Sequence, residues 1–219
     1  MPSPFDQSTY QVRLDWGGAG LARLAAADVV VVVDVLRFSS IVIDAVASGV
    51  DVDLAEAEQW SRNGAALAAD ASPEATVLIG GLRNASAVAR AVQTIQERRQ
   101  ARTSVAVIAA GELEPSGALR FAVEDQLGAG AIVLALSDRG IDHTAPDAAV
   151  AAEGFRALRG ALRHMVGASG SGRELASGVT ATARIEAVGL TPTTVADAAV
   201  VDAVDAVPVL REGVFTRFE

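Results

Sequence analysis

The sequence predicts an α/β protein three layers deep, with helices on both faces of a mixed, largely parallel sheet. Residues 29–33 are five consecutive valines, too few to cross a membrane and too β-branched for a comfortable helix, so they read as a strand buried on both faces. Short apolar runs at 76–79 and 104–110 echo it, and each ends at a glycine-bearing turn, which is how strands hand over to helices in such folds. Composition supplies the core: 219 residues, 51% hydrophobic but only 4% aromatic, make a core of Ala, Val and Leu that needs no staples. With no internal repeat and no low-complexity tail, one domain over 1–219 is the simplest organisation.

Taken in order, Tyr10, Val12 and Leu14 alternate with Gln11, Arg13 and Asp15, the period of a half-buried edge strand. Trp16 to Gly20 turns the chain, and a short helix over 21–26 leads into the valine strand. Ser39 and Ser40 then suit the start of a helix carrying Ile41, Val42, Ala45 and Val46. That leaves Asp34 and Arg37 in the turn between strand and helix. Val50, Val52 and Leu54 suggest a strand with one wet face, and 56–69 a helix that Asn63-Gly64 interrupts. The run at 76–79 leads to Arg83, Asn84 and Ser86 beside the start of a helix reaching about 98. Residues 113–120, with Pro115 and Gly117, read as a loop. After it comes an apolar helix from Phe121 with Glu124 and Asp125 near its start. A polar link over 137–147 precedes a long helix over 147–166, with Phe155, Leu158, Leu162 and Met165 on its buried side. Ala168 to Gly172 forms a small-residue turn under Arg173, a plausible anion nest. Val207–Leu210 and Gly213–Phe215 read as a closing hairpin at the sheet edge, where Pro208 is tolerated.

Composition also excludes chemistry. There is no cysteine, hence no disulfide, thiolate metal site or Cys nucleophile, and all 18 basic residues are arginine, leaving no lysine for a Schiff base or a Walker-type phosphate site. A net charge of −9 argues against nucleic acid as a partner, because phosphate-backbone binding needs a basic face. An anionic ligand would need a local cluster of arginines. His143 and His164 have no partner at metal spacing. No run approaches a membrane span and the N-terminus has no signal-peptide pattern, so the expectation is a soluble, cytoplasmic protein without membrane partners, with a homo-oligomer left open.

Six stretches, in order, resemble the ComB-like 2-phosphosulfolactate phosphatase family, of its actinobacterial type. They are Asp34-Val-Leu-Arg37-Phe-Ser39-Ser40, Arg83-Asn84-Ala-Ser86, Ala109-Ala-Gly111-Glu112, Val123-Glu124-Asp125 through Ala131, Ser171 to Leu175, and Ala206 to Gly213. Part of the family's middle segment, between the second strand and Asn84, is missing here; Asn63-Gly64 matches only its Asn-Gly element. The resemblance implies an α/β/α fold, Mg²⁺ dependence, and hydrolysis of the phosphate monoester of a small sulfonated hydroxy acid.

Such hydrolysis is among the slowest uncatalysed reactions, so the site must stabilise a strongly charged transition state. Asp34, Arg37 and Glu112 are the catalytic candidates. Asp34, Glu124 and Asp125 are the candidate Mg²⁺ ligands, since that ion takes hard oxygens. Arg37 and Arg83 could clamp the anionic groups bidentately, with Ser39, Ser40, Asn84, Ser86 and Arg173 completing the substrate site. Either Asp34 attacks phosphorus, or it holds the metal while water attacks; Asp34-Val35-Leu36 is not a haloacid-dehalogenase-type Asp-x-Asp signature, which favours water. The alternative is an inactive family member that binds an anionic metabolite or a protein partner.

Overall fold

The computed structural model describes residues 3–114, 116–178 and 180–219. In chain order the elements begin with Val12–Trp16 (β1), Gly17–Arg23 (α1), Val29–Val33 (β2), Ser40–Ala47 (α2), Val52–Asp53 (β3), Leu54–Trp60 (α3), Gly64–Asp70 (α4) and Thr76–Gly80 (β4). They continue with Ala85–Arg99 (α5), Val105–Ala109 (β5), Glu112–Leu113 (β6), Leu119–Arg120 (β7), Val123–Ser137 (α6), Pro146–Leu158 (α7) and Leu162–Ala168 (α8). The last are Gly170–Ala176 (α9), Thr180–Ala187 (α10), Val195–Ala198 (α11), Pro208–Arg211 (β8) and Val214–Arg217 (β9).

The main sheet has the order β1-β5-β2-β4-β8-β9-β3. β1, β5, β2 and β4 are mutually parallel, while β8, β9 and β3 join antiparallel. The valine strand lies inside the parallel half and feeds both faces. Val29, Val31 and Val33 enter one apolar core with α5, α6, α7 and α8, whereas Val30 and Val32 enter the other with α2, α3 and α4. Two cores on one sheet make the three layers, and the period-2 alternation of strand side chains divides the valines between them.

Several elements differ from the sequence reading. β1 is the sheet edge, yet Arg13 is buried, because its guanidinium donates to the carbonyls of Tyr10 (3.0 Å), Ala25 (2.7 Å) and Ala26 (3.1 Å). The polar alternation therefore marks a carbonyl cap and not a wet face. The first helix starts at Gly17, directly after the strand. Asn63-Gly64 is a real break that separates α3 from α4, and the long helix over 147–166 is broken by a 3₁₀ turn at Arg159–Ala161. The closing hairpin is not at the edge: β8 pairs β4, β9 pairs β3, and the edge is the two-residue β3. No helix among the described residues is long and apolar enough to cross a membrane.

Candidate active site

Register decides where the site forms. Val33 lies opposite Gly80 of β4 and opposite Ala109 of β5, so Asp34, Gly81 and the Gly111 turn emerge side by side at the carboxyl ends of parallel strands. In open α/β sheets that edge is where ligands bind.

The chain leaves β2 through an irregular turn, Val35–Ser39, with Leu36 extended at φ −126°, ψ 94°. Its polar groups are consumed locally. Ser39 Oγ accepts the Asp34 amide (2.9 Å) and donates to the Val32 carbonyl (3.4 Å), and Ser40 Oγ donates to the Val35 carbonyl (2.7 Å). Ser39 itself has helical dihedrals and caps nothing with its side chain. Both hydroxyls are buried, so they shape the turn and do not reach a substrate.

Asp125 holds two turns together. One of its carboxylate oxygens accepts the Val35 amide (2.8 Å) and the other the Gly111 amide (2.9 Å). Asp34 is held in a similar manner by the Gly64 amide, which donates to its Oδ2 at 3.0 Å. A side chain at Gly64 would put its Cβ 2.3 Å from the Phe38 ring and 2.9 Å from Asp34 Oδ2, so only glycine lets this amide approach the carboxylate. The neighbouring Asn63 donates from Nδ2 to the Gly111 carbonyl at 2.9 Å. The α3–α4 connection is thereby pinned to both strand ends.

A pocket of about 420 Å³ opens here, lined by Asp34, Arg37, Trp60, Arg62, Asn63 and Glu112, with Ser171 and Glu174 of α9 among the residues closing it. Burial pushes the Asp34 carboxyl up to about 6; the Gly64 and Phe38 amides oppose the rise, and the charges of Glu124 and Glu112 add to it. Asp125 is pushed well above the usual carboxylate range by burial, then by Asp34 and Glu124, against its two amides. Burial and Glu174 raise Glu112, with Arg120 and Arg37 opposing. Glu124 is only 2% exposed, and its carboxylate makes no hydrogen bond or ion pair among the described residues. Buried negative charge outweighs local positive charge at this sheet end, although Arg37 and Arg62 face the same cavity.

The other residues singled out from the sequence lie elsewhere. Arg83 is outside the pocket: it bonds Asp44 through Nε (2.9 Å) and Nη2 (2.6 Å) and donates to the Asp197 carbonyl (2.7 Å). Asn84 is fully buried and spends its amide on Gly81, Ile79 and Ala206. Ser86, at the start of α5, donates from its amide (2.7 Å) and its hydroxyl (2.6 Å) to Asp202. The anion at that helix N-terminus is thus the protein's own carboxylate. Arg173 is exposed on α9 and does not line the cavity, whereas Ser171 and Glu174 of the same helix do. Among the described residues no three acidic or histidine side chains converge to hold a metal ion.

Sequence reasoning passed over Arg62, Trp60 and Glu174, and read Asn63-Gly64 as a helix interruption. The signal available was that interruption: a break beside an arginine in a small-residue helical stretch.

The sequence matches a family model described as 2-phosphosulpholactate phosphatase over residues 56–213. That span takes in Asn63, Glu112, Glu124 and Asp125 and begins after Asp34 and Arg37. No curated protein matches the chain.

Proposed function

Because the chain belongs to the 2-phosphosulpholactate phosphatase family, we propose that it hydrolyses the phosphate monoester of a small anionic hydroxy acid beside Asp34, with Mg²⁺ as cofactor. The observation that carries this reading is a buried carboxylate at the end of the central strand that shares one cavity with two arginines, Arg37 and Arg62. A hydrophobic ligand would use neither charge.

The donor set suits a hard cation. Asp34 is pushed up to about 6 and Glu124 is buried without a partner among the described residues, which is the state of carboxylates whose counter-charge is a bound ion. Mg²⁺ keeps several waters and takes only one or two protein carboxylates beside substrate phosphate, so a converging triad is not required. Asp34 and Glu124 would hold it. When bound, Mg²⁺ neutralises phosphoryl oxygens and makes water a stronger nucleophile near neutral pH. Arg37 and Arg62 bind the phosphate and the second acidic group through their N–H forks. Asp125 acts on the site only through the turns it holds. Glu112, half-buried with a raised pKa, can hold a proton for the departing oxygen.

One observation favours a second reading, binding without turnover: the three carboxylates Asp34, Glu124 and Asp125 do not converge as a metal cluster. A panel of phosphomonoesters assayed with and without Mg²⁺, including 2-phosphosulpholactate and phospholactate, separates the two. Mg²⁺-dependent release of phosphate is expected. Saturable binding with no release establishes the second reading, and neither turnover nor binding refutes both.

A further inference from the structure

Two side-chain polar atoms among the described residues are sealed from solvent and have no hydrogen-bond partner, Trp60 Nε1 and Asn63 Oδ1. Leaving such an atom unpaired forfeits its hydration with nothing in return, so native folds keep few of them. Here they lie three residues apart, Trp60 ending α3 and Asn63 just before α4, and both residues line the cavity that holds Asp34. One atom is an acceptor and the other a donor. Asn63 is not free to exchange its ends, because Nδ2 is committed to the Gly111 carbonyl at 2.9 Å. A flip would set two carbonyl oxygens against each other, so Oδ1 is the atom left unpaired.

We infer that Asn63 Oδ1 is an oxygen ligand for the site's divalent cation and that Trp60 Nε1 donates to a phosphate oxygen held beside that cation. This rests on the phosphatase reading above and adds two residues to it. A cation–phosphate pair satisfies both orphaned atoms at once, since the ion takes a lone pair and the anion takes a proton donor; a lone anion leaves Oδ1 unpaired and repelled. A neutral amide oxygen is a normal magnesium or calcium ligand. It also supplies what the buried carboxylates lack, a ligand that adds no further negative charge to a cluster already repelling itself. The geometry of the connection supports the assignment: the Gly64 amide, the next residue on, reaches Asp34 Oδ2 at 3.0 Å, so the Asn63 side chain starts one residue from the principal carboxylate.

Calorimetric titration of Mg²⁺ alone, then of inorganic phosphate in saturating Mg²⁺, tests the pair in the wild type and in Asn63→Leu, Asn63→Asp and Trp60→Phe. Asn63→Leu is expected to weaken Mg²⁺ about tenfold or more, while Asn63→Asp, which keeps an oxygen but loses the bond to Gly111, retains wild-type affinity or exceeds it. Trp60→Phe, which keeps the ring that packs on Phe38 (centroids 5.8 Å apart), should leave Mg²⁺ unchanged and weaken phosphate about tenfold, the scale of one lost hydrogen bond to a charged group. Equal Mg²⁺ binding by wild type and Asn63→Leu, or equal losses in the Leu and Asp variants, overturns the ligand assignment, the latter by making Asn63 a purely structural link. Unchanged phosphate affinity in Trp60→Phe overturns the donor. A wild type that binds no Mg²⁺ refutes the metal part of the phosphatase reading and this inference together, an outcome distinct from failure of the variants alone.

Discussion

Asp125 is the residue on which the geometry of the site turns. Its two oxygens are the acceptors for the amides of Val35 and Gly111, and those amides sit where the chain leaves β2 and β5. Removing the carboxylate orphans two buried N–H groups, each worth about 1–3 kcal/mol, offset in part by relief of its repulsion with Asp34 and Glu124. Asp125→Ala should therefore lose about 2–4 kcal/mol in urea unfolding, and its phosphatase rate should fall because both turns loosen. A variant with full activity and unchanged midpoint would refute the anchoring role. The sequence showed Glu124 and Asp125 as an acidic doublet suited to metal or to the helix dipole. It could not show that helical spacing turns neighbouring residues apart, one to backbone amides and one to no hydrogen-bond partner among the described residues.

At the scale of elements, α6 is clamped between the sheet and α7, and small residues make this possible. A Cβ at Gly130 would lie 2.1 Å from the Ala151 carbonyl oxygen and 2.9 Å from Phe155 Cβ. The first of these contacts is backbone, which cannot rotate aside. Gly130→Val should separate the two helices and cost about 3 kcal/mol or more, read as a lowered thermal midpoint with loss of near-ultraviolet dichroism before loss of helix. A midpoint within a degree of wild type would refute the close-contact account. The same clamp fixes the first turn of α6, where Asp125 meets the chain leaving β2 and β5. Helix existence was legible from apolar patterning. The break at Asn63-Gly64 was legible too, whereas the one at Arg159–Ala161 was not. The first break is held by Gly111 and Asp34.

Across the whole molecule, the carboxylates with raised pKa gather at one end of the sheet, and this sets the pH dependence of folding. Asp34 is raised from 3.8 to about 6, and Asp125 and Glu112 are raised as well. Groups whose folded pKa exceeds the unfolded value bind more protons in the native state, so stability falls as pH rises. The contribution is fully present below about 4 and is lost as pH passes through about 6 for Asp34. Asp28, lowered by its bonds to Ser104 against the cost of burial, works the other way, but only as pH falls below its unfolded value of 3.8. Thermal midpoints without divalent ions should thus decline between pH 5 and 8, and Asp34→Asn should flatten that decline while abolishing turnover. Adding Mg²⁺ at pH 8 should restore the wild type and leave Asp34→Asn unmoved. A wild-type midpoint that rises from pH 5 to 8 would contradict the charge distribution described here.

The sequence by itself determined the three-layer class, the central strand, the helices with strong apolar patterning and the glycine turns that end the strands. These follow from local periodicity, from β-branching and from glycine at strand ends, which act over a few residues and survive any tertiary arrangement. Only the tertiary structure decided which polar side chains are free to act. Ser39, Ser40, Arg83, Asn84 and Ser86 stand beside the right turns in the sequence, yet each is taken up by a protein partner: Val32, Val35, Asp44, Ala206 or Asp202. Three of those partners lie 39, 122 and 116 residues away, so no local pattern could reveal them. Arg62 and Asn63, with Trp60 ending α3 just before them, gained their place for the same reason in reverse: the α3–α4 connection is drawn to the strand ends by bonds to Gly111 and Asp34, 48 and 30 residues distant. A hydrogen-bonding group joins a site only if the fold leaves it unspent, and that is settled by long-range contacts.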